Sequence, residues 1–266
     1  HLFYTIYTRI NFLLKSLRQK NDFFIENKLS HFELKILSEL KTFGYSVIEN
    51  YLKRGDCEII VKKISSFIDE NPDKIYSGAL SSDKRIFGAE HVDNQIDKYH
   101  NIKFVKTIGS FYMKDELENL MTMANQTTFK KNNLGSGEGW HRDSLNPQFK
   151  SILYLTDVNE KNGPFQMVKN SQKIFQIIKD ALCVKNKISH TRFSDESMMK
   201  LFKKSMTRLL SFNYKAGTLI LVDTSCLHRG SPLKAGHRYA LTNYYYPKGQ
   251  IKVYENHFTP MLKKNY

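Results

Sequence analysis

Short strand-like segments separated by turns fill the second half of the chain, and this alternation constrains the fold more than any other feature. Each segment is enriched in β-branched and aromatic side chains; they cover residues 126–130, 150–156, 164–168, 217–222 and 238–246. Turn residues such as Asn162-Gly163-Pro164 lie between them. A charged, helix-like stretch over about 172–209 interrupts the series. The pattern favours an antiparallel barrel or jelly roll.

The first half of the chain has mainly helical periodicity. Apolar spacing predicts helices over residues 31–42, 56–69 and 114–123, a further amphipathic helix over 2–17, and a strand over 45–50. We therefore expect a single domain over 1–266, mainly β with helical decoration. Its double-stranded β-helix (jelly-roll) core, residues 125–250 with a helical insert at about 172–209, would pack against a helical scaffold formed by residues 1–124.

Charge and cysteine content narrow the class of protein. The chain has 41 Lys and Arg against 26 Asp and Glu, a net charge of +15. This excess suits nucleic acid, an anionic membrane surface or an acidic substrate, or it reflects lysines spread over the whole surface. Three scattered cysteines indicate reduced thiols rather than a disulfide framework, so a cytoplasmic location is expected. Residues 2–18 would pack on the domain or make peripheral membrane contact.

A His-x-Asp pair indicates chemistry at a metal ion. His141 and Asp143 are two residues apart, so on an extended segment both side chains point to the same side. His228 follows the apolar strand 217–222 and would supply a second imidazole. Two histidines and one carboxylate form the facial triad of non-haem iron enzymes, which leaves open positions on Fe(II) for a chelating co-substrate and O2.

Arg238 adds a carboxylate-binding group at the expected place. It lies ten residues beyond His228, at the start of the strand 238–246. A guanidinium binds a carboxylate through two charge-assisted hydrogen bonds. The order of His-x-Asp, several strands, His and then Arg is the one that a jelly roll binding 2-oxoglutarate requires.

These motifs make the chain resemble the phytanoyl-CoA dioxygenase family of Fe(II)- and 2-oxoglutarate-dependent oxygenases. The resemblance covers about residues 125–246 and depends on six segments: Gly139 to Asp143, Ser151 to Asp157, Asn162 to Phe165, Val168 to Ser171, Gly217 to Leu219, and His228 to Ser231. Family members usually have a His after the Ser that resembles Ser171, where this chain has Gln172.

The resemblance implies roles for individual residues. Iron would be bound by His141, Asp143 and His228, and 2-oxoglutarate by Arg238. Further co-substrate contacts are expected from residues on neighbouring strands: Gln126, Thr128, Tyr154 and Thr242. Trp140, Arg142 and Arg229 are candidates for the substrate pocket, although Trp140 is equally suited to the core. Turnover would consume O2 and 2-oxoglutarate, with ascorbate as an optional reductant.

The expected reaction is hydroxylation of an unactivated C–H bond of a small anionic, lipid-linked or sugar-type substrate. Asp143 fills the position that a halide would need, so hydroxylation is favoured over halogenation. A nucleic-acid demethylase of the same fold, a non-catalytic jelly-roll binding protein and a cupin-type enzyme remain as alternatives. No nucleic-acid partner is expected, because the last strand lacks the second Arg typical of those demethylases. The sequence does not specify the oligomeric state.

Overall fold

The computed structural model describes Tyr7, Ile10 and residues 28–78, 80–205 and 208–262. Seven helices are described in these ranges: α1 His31–Phe43, α2 Arg54–Glu70, α3 Asn94–His100, α4 Lys103–Met113, α5 Ile174–Cys183, α6 Asp195–Ser205 and α7 Ile251–Leu262. The helix expected over 2–17, and with it the membrane contact expected through 2–18, falls almost wholly outside the described residues. No helix in the described ranges is long and apolar enough to cross a membrane.

In the described ranges, twelve strands form two antiparallel sheets. The strands are β1 Tyr45–Ile48, β2 Tyr76–Ser77, β3 Asp83–Phe87, β4 Leu117–Thr128, β5 Trp140–His141, β6 Phe149–Tyr154, β7 Phe165–Val168, β8 Arg192–Phe193, β9 Leu209–Phe212, β10 Leu219–Asp223, β11 His228–Gly230 and β12 His237–Pro247. A seven-stranded sheet has the order β1-β10-β6-β12-β4-β3-β2, and a five-stranded sheet has the order β8-β5-β11-β7-β9. This arrangement confirms the predicted mainly β jelly-roll core decorated with helices.

The large core lies between the first helices and the seven-stranded sheet. Side chains of α1, α2 and α4 pack on alternate residues of β4, β6, β10 and β12, including Ile64, Ile108 and Leu241. A smaller core lies between the two sheets and contains Met167, Phe212 and Ile220. The site occupies the remaining space between the sheets, where most of the lining residues are polar or charged.

Most predicted segments are confirmed with shifted ends. The predicted helices 31–42 and 56–69 correspond to α1 and α2, and the insert contains α5 and α6 joined through β8. The helix predicted over 114–123 is wrong, because residues 117–128 form β4. That strand pairs with β3 on one side and β12 on the other, and these ladders override the helix-forming tendency of its Leu, Met and Glu residues. The boundary expected at 124 falls inside β4.

Candidate metal centre

The three predicted metal ligands meet on the five-stranded sheet. β5 and β11 pair so that His141 and His228 are directly opposite each other. Their rings lie 4.4 Å apart between centroids. Asp143 follows β5, and its backbone N–H donates to the Thr224 carbonyl at 3.1 Å. Because alternate residues of an extended segment face the same side, His141 and Asp143 both point between the sheets.

The donor atoms converge on one point. Nε2 of His141 lies 3.6 Å from Oδ1 of Asp143, and Nε2 of His228 lies 3.7 Å from Oδ2. The three ligand atoms all lie within 4.8 Å of one another. Each imidazole donates its Nδ1–H to a backbone carbonyl at 2.9 Å, His141 to Gly139 and His228 to Cys226. These bonds leave both Nε2 lone pairs for a metal ion.

At one position beside the ligands, the space next to the backbone admits only glycine. Gly137 has φ +85°, and a Cβ built there would collide with the His141 ring. Glycine therefore allows the chain to pass directly over the imidazole. The His141 ring is therefore covered by the backbone at Gly137 and is held by its bond to the Gly139 carbonyl.

Lys150 neutralises the carboxylate of the triad. Its Nζ lies 2.8 Å from Oδ2 of Asp143 and 3.9 Å from the centroid of the Tyr244 ring. Burial alone would raise the pKa of Asp143, but Lys150 and the two histidines hold it well below its usual value. Burial and the neighbouring His141 lower the pKa of His228 to about 3. The site therefore presents a carboxylate and, at His228, a neutral imidazole, which are protonation states that bind a metal ion.

A cavity of about 240 Å³ adjoins the three ligands. Arg238 lines it from β12 of the opposite sheet and is only 4% exposed. Its guanidinium donates to the Gly163 carbonyl and, at 3.4 Å, to the Thr127 hydroxyl, while its Nε has no partner among the described residues. Burial lowers the pKa of this guanidinium. A buried cation with an unpaired donor fits an anionic ligand.

Two further residues expected at the co-substrate site line the same cavity, Tyr154 and Thr242. The Tyr154 hydroxyl donates to the Phe212 carbonyl at 3.2 Å and accepts from the Phe165 N–H at 2.9 Å. Burial raises the pKa of this phenol to about 12, so it stays protonated.

The structure does not bring Gln126 and Thr128 to the cavity. Gln126 donates instead to the Tyr239 hydroxyl, in the layer of side chains beneath the helices. Successive residues of a strand face opposite sides of the sheet. Consequently Asn125, one position from Gln126, lines the cavity in its place.

The three residues expected in the substrate pocket lie outside this cavity, because they alternate with the ligands along β5 and β11. Trp140 is packed in an apolar cluster, with the Arg229 guanidinium 4.5 Å from its ring centroid. Arg142 is 2% exposed and donates to the Ser171 and Ser225 carbonyls at 2.6 Å. These contacts give Arg142 and Trp140 a structural role on the outer side of the sheet.

Sequence reasoning missed several charged residues that line the cavity: Arg85, Lys150 and Arg192. Arg85 donates twice to Oδ2 of Asp83, at 2.9 and 2.6 Å. The exposed Arg192 lies opposite His141 in the β5–β8 ladder and donates to the Gly137 carbonyl at 3.1 Å. Alternation predicts that Lys150 and Ile152 share a face of β6, but no sequence motif marks these residues.

Comparisons with known proteins agree with this architecture. SnoK, a non-heme alpha ketoglutarate dependent carbocyclase from nogalamycin biosynthesis, is 13% identical with TM-score 0.62, over 88% of this chain and 91% of that one. HygX from Streptomyces hygroscopicus, with nickel and 2-oxoglutarate bound, is 16% identical with TM-score 0.58, over 83% and 88%. EctD from S. alaskensis is 15% identical with TM-score 0.61, over 82% and 77%. At these identities the likeness establishes a shared fold.

The sequence comparisons give a family. No curated protein sequence matches the chain significantly. The sequence pattern of the phytanoyl-CoA dioxygenase (PhyH) family matches residues 40–238, a range that contains the three converging ligands and Arg238. The chain belongs to the phytanoyl-CoA dioxygenase family.

Proposed function

We propose that this chain is an Fe(II)- and 2-oxoglutarate-dependent oxygenase that hydroxylates a small anionic substrate. The observation that carries the proposal is the buried guanidinium of Arg238, whose Nε has no partner in the described part of the chain, in the same cavity as His141, Asp143 and His228. A metal ion alone would not require it. A carboxylate ligand that reaches from the metal to Arg238 would.

The residues present fit both groups. Two imidazole Nε2 atoms and one carboxylate suit Fe(II), and their arrangement on one side leaves positions for a bidentate ligand and O2. Gly230 on β11 lies against the guanidinium, and a Cβ there would come within 3.1 Å of Arg238 Nη2. When bound, the iron and 2-oxoglutarate would supply oxidative decarboxylation coupled to oxidation of a substrate C–H bond. The protein would orient the ligands and exclude water.

Charge around the cavity supports an anionic substrate. Arg85 is paired with Asp83 and Lys150 with Asp143, so these four charges compensate one another. Arg192 at the mouth is bonded to backbone carbonyls, and no described carboxylate lies within salt-bridge distance of it. Once 2-oxoglutarate occupied Arg238, Arg192 would remain as a cation beside the reacting centre. It suits a carboxylate or phosphate on the substrate.

Anaerobic titration tests the cofactors first. Fe(II) and 2-oxoglutarate together should produce a weak visible charge-transfer band. Arg238→Met should weaken 2-oxoglutarate binding while Fe(II) still binds. Absence of the band at saturating ligands would instead favour a non-catalytic binding protein.

Substrate-dependent conversion of 2-oxoglutarate to succinate then tests the substrate class. We expect stimulation by carboxylates, phosphorylated sugars or acyl thioesters, products that gain one oxygen atom, and a higher KM in Arg192→Ala. Stimulation only by cationic compounds would refute the charge argument. If KM were unaltered in Arg192→Ala, Arg192 would not be part of the substrate site.

A further inference from the structure

The outer face of α5 is apolar although it is exposed to solvent. Phe175 is 84% exposed and Leu182 is 69% exposed, with the half-buried Ile178 between them. Spacing of three and four residues puts these side chains on one face of the helix. The opposite face already packs into the protein through Ile177 and Ala181. A helix that only covered its own domain would have polar residues on the outside.

The apolar face adjoins a groove of about 640 Å³ between α5 and α6. Leu201 of α6 and Cys183 of α5 contribute further apolar surface to its lining. Met199 of α6, elsewhere on this helical insert, is 57% exposed. The insert therefore presents adjoining apolar surface rather than one isolated side chain, which is the pattern of a binding surface.

Positive charge surrounds the face of α5, and the exposed carboxylates at the start of the neighbouring α6, Asp195 and Glu196, are paired with Arg229 and Lys200. Residues 173–190 contain four exposed lysines: Lys173, Lys179, Lys185 and Lys187. The single acidic residue of this range is Asp180, which is 1% exposed and bonded to Arg142 and Arg208. The lysines lie before, within and after the helix, so their ammonium groups can reach around an immersed apolar face.

We propose that the outer face of α5 docks on an anionic lipid bilayer. A helix of ten residues is about 15 Å long and cannot span a bilayer, so it would lie in the plane of the interface. Phe175, Ile178 and Leu182 would enter the boundary between headgroups and acyl chains. The lysines would contact anionic headgroups, which attract basic residues near the membrane surface.

A short segment of the polypeptide chain connects this surface to the site. The chain leaving α5 continues into β8, where Arg192 lines the cavity mouth. Docking would thus hold the insert that carries Arg192 at the membrane, where an anionic lipid-linked molecule would be concentrated. The docking proposal stands on the face itself and does not depend on the proposed oxygenase activity.

Vesicle co-sedimentation tests the docking. The full chain should bind vesicles of phosphatidylcholine with about a third phosphatidylserine in roughly 0.1 M salt, and bind pure phosphatidylcholine at least tenfold more weakly. Phe175→Glu/Leu182→Glu should reduce binding to the anionic vesicles at least tenfold. The matched control Val253→Glu alters an equally exposed apolar side chain, 68% exposed on α7, and should bind as the parent does.

Lys179→Glu/Lys185→Glu should also lose binding, and the parent should lose it in high salt. Thermal unfolding of each variant verifies the fold. Two results would overturn the proposal: a parent chain that does not bind anionic vesicles, or a folded Phe175→Glu/Leu182→Glu variant that binds them as the parent does. The second result would mean that another segment, such as the basic residues 2–18, contacts the membrane.

Discussion

Lys150→Met tests whether Lys150 takes the place of a metal ion in the metal-free site. The Lys150–Asp143 pair joins atoms 2.8 Å apart, and the two side chains are 9% and 21% exposed. Removing one partner of a buried ion pair leaves the other charge uncompensated, at a cost of about 3–5 kcal/mol. Because Asp143 keeps some exposure, we expect the metal-free variant to lose about 3 kcal/mol of unfolding free energy.

A bound metal ion should reverse this loss. The dication would neutralise Asp143 directly, so the variant would no longer contain an uncompensated carboxylate. In the parent, the Lys150 ammonium would repel the metal; charges of +1 and +2 roughly 5 Å apart repel by about 7 kcal/mol at an effective dielectric constant of about 20. Even partial relief of this repulsion should increase metal affinity in the variant by about tenfold or more.

Denaturant unfolding with and without Mn(II), used as a redox-stable substitute for Fe(II), measures both effects. The metal should raise the unfolding free energy more in Lys150→Met than in the parent, because tighter binding adds more stability at a given metal concentration. Lys106→Met is the control: the Lys106–Glu118 pair is also 2.8 Å long, but its side chains are 39% and 36% exposed. Lys106→Met should lower the unfolding free energy by at most about 1 kcal/mol and leave the stabilisation by the metal unchanged. If the metal raised the unfolding free energy of Lys150→Met by no more than it raises that of the parent, the reasoning would be refuted.

Three further predictions concern Gly230, Arg142 and the three cysteines. Gly230→Ala should weaken 2-oxoglutarate binding about tenfold in an anaerobic titration, because its Cβ would come within 2.8 Å of Ser136 Cβ and 3.1 Å of Arg238 Nη2; Gly249→Ala, in open space, should not. Arg142→Met should lower the unfolding free energy by about 3 kcal/mol in denaturant, since it removes the buried donor of the Ser171 and Ser225 carbonyls while Asp180 keeps Arg208, and retention of parental stability would contradict this. Burial raises the pKa of Cys57 to about 11 and of Cys226 to about 12, so mass spectrometry after native alkylation should find only the half-buried Cys183 modified.

The sequence determines the metal ligands more firmly than their surroundings. His141, Asp143 and His228 could be predicted because a facial triad requires particular residue types, and the strand context limits which histidine can join the pair. Side-chain alternation from His141 also implies that Trp140 and Arg142 face away, and the structure places both outside the cavity. The alternation that supports the ligands therefore argues against these neighbours as pocket residues.

The co-substrate side of the cavity was harder to predict, because it depends on which residues of a long strand face the cavity. β4 starts at Leu117, nine residues before the strand expected at 126, and pairs with β3 and β12. Any one-residue error in phase exchanges the two faces of a strand. The Lys150–Asp143 contact was equally inaccessible, because it joins the two sheets and no local pattern specifies how sheets pack.

Two adjacent threonines of β4 test which face of this strand supports Arg238. Thr127 is fully buried and accepts from Arg238 Nη2 at 3.4 Å and from Asn125 Nδ2 at 3.0 Å, so we expect it to orient the guanidinium. Thr128 lies on the other face of the strand. Thr127→Val keeps the shape but removes the acceptor, and loss of one long hydrogen bond to a charged group costs about 1 kcal/mol.

We therefore expect Thr127→Val to weaken 2-oxoglutarate binding about fivefold, while Thr128→Val, the same chemical change one residue away, leaves it unaltered. Anaerobic titration of the charge-transfer band measures both, and Fe(II) binding should be equal in the two variants because neither residue contacts the triad. If Thr128→Val weakened binding as much as Thr127→Val, orientation of Arg238 through one face of β4 would be refuted. The effect would then reflect a general loosening of the strand.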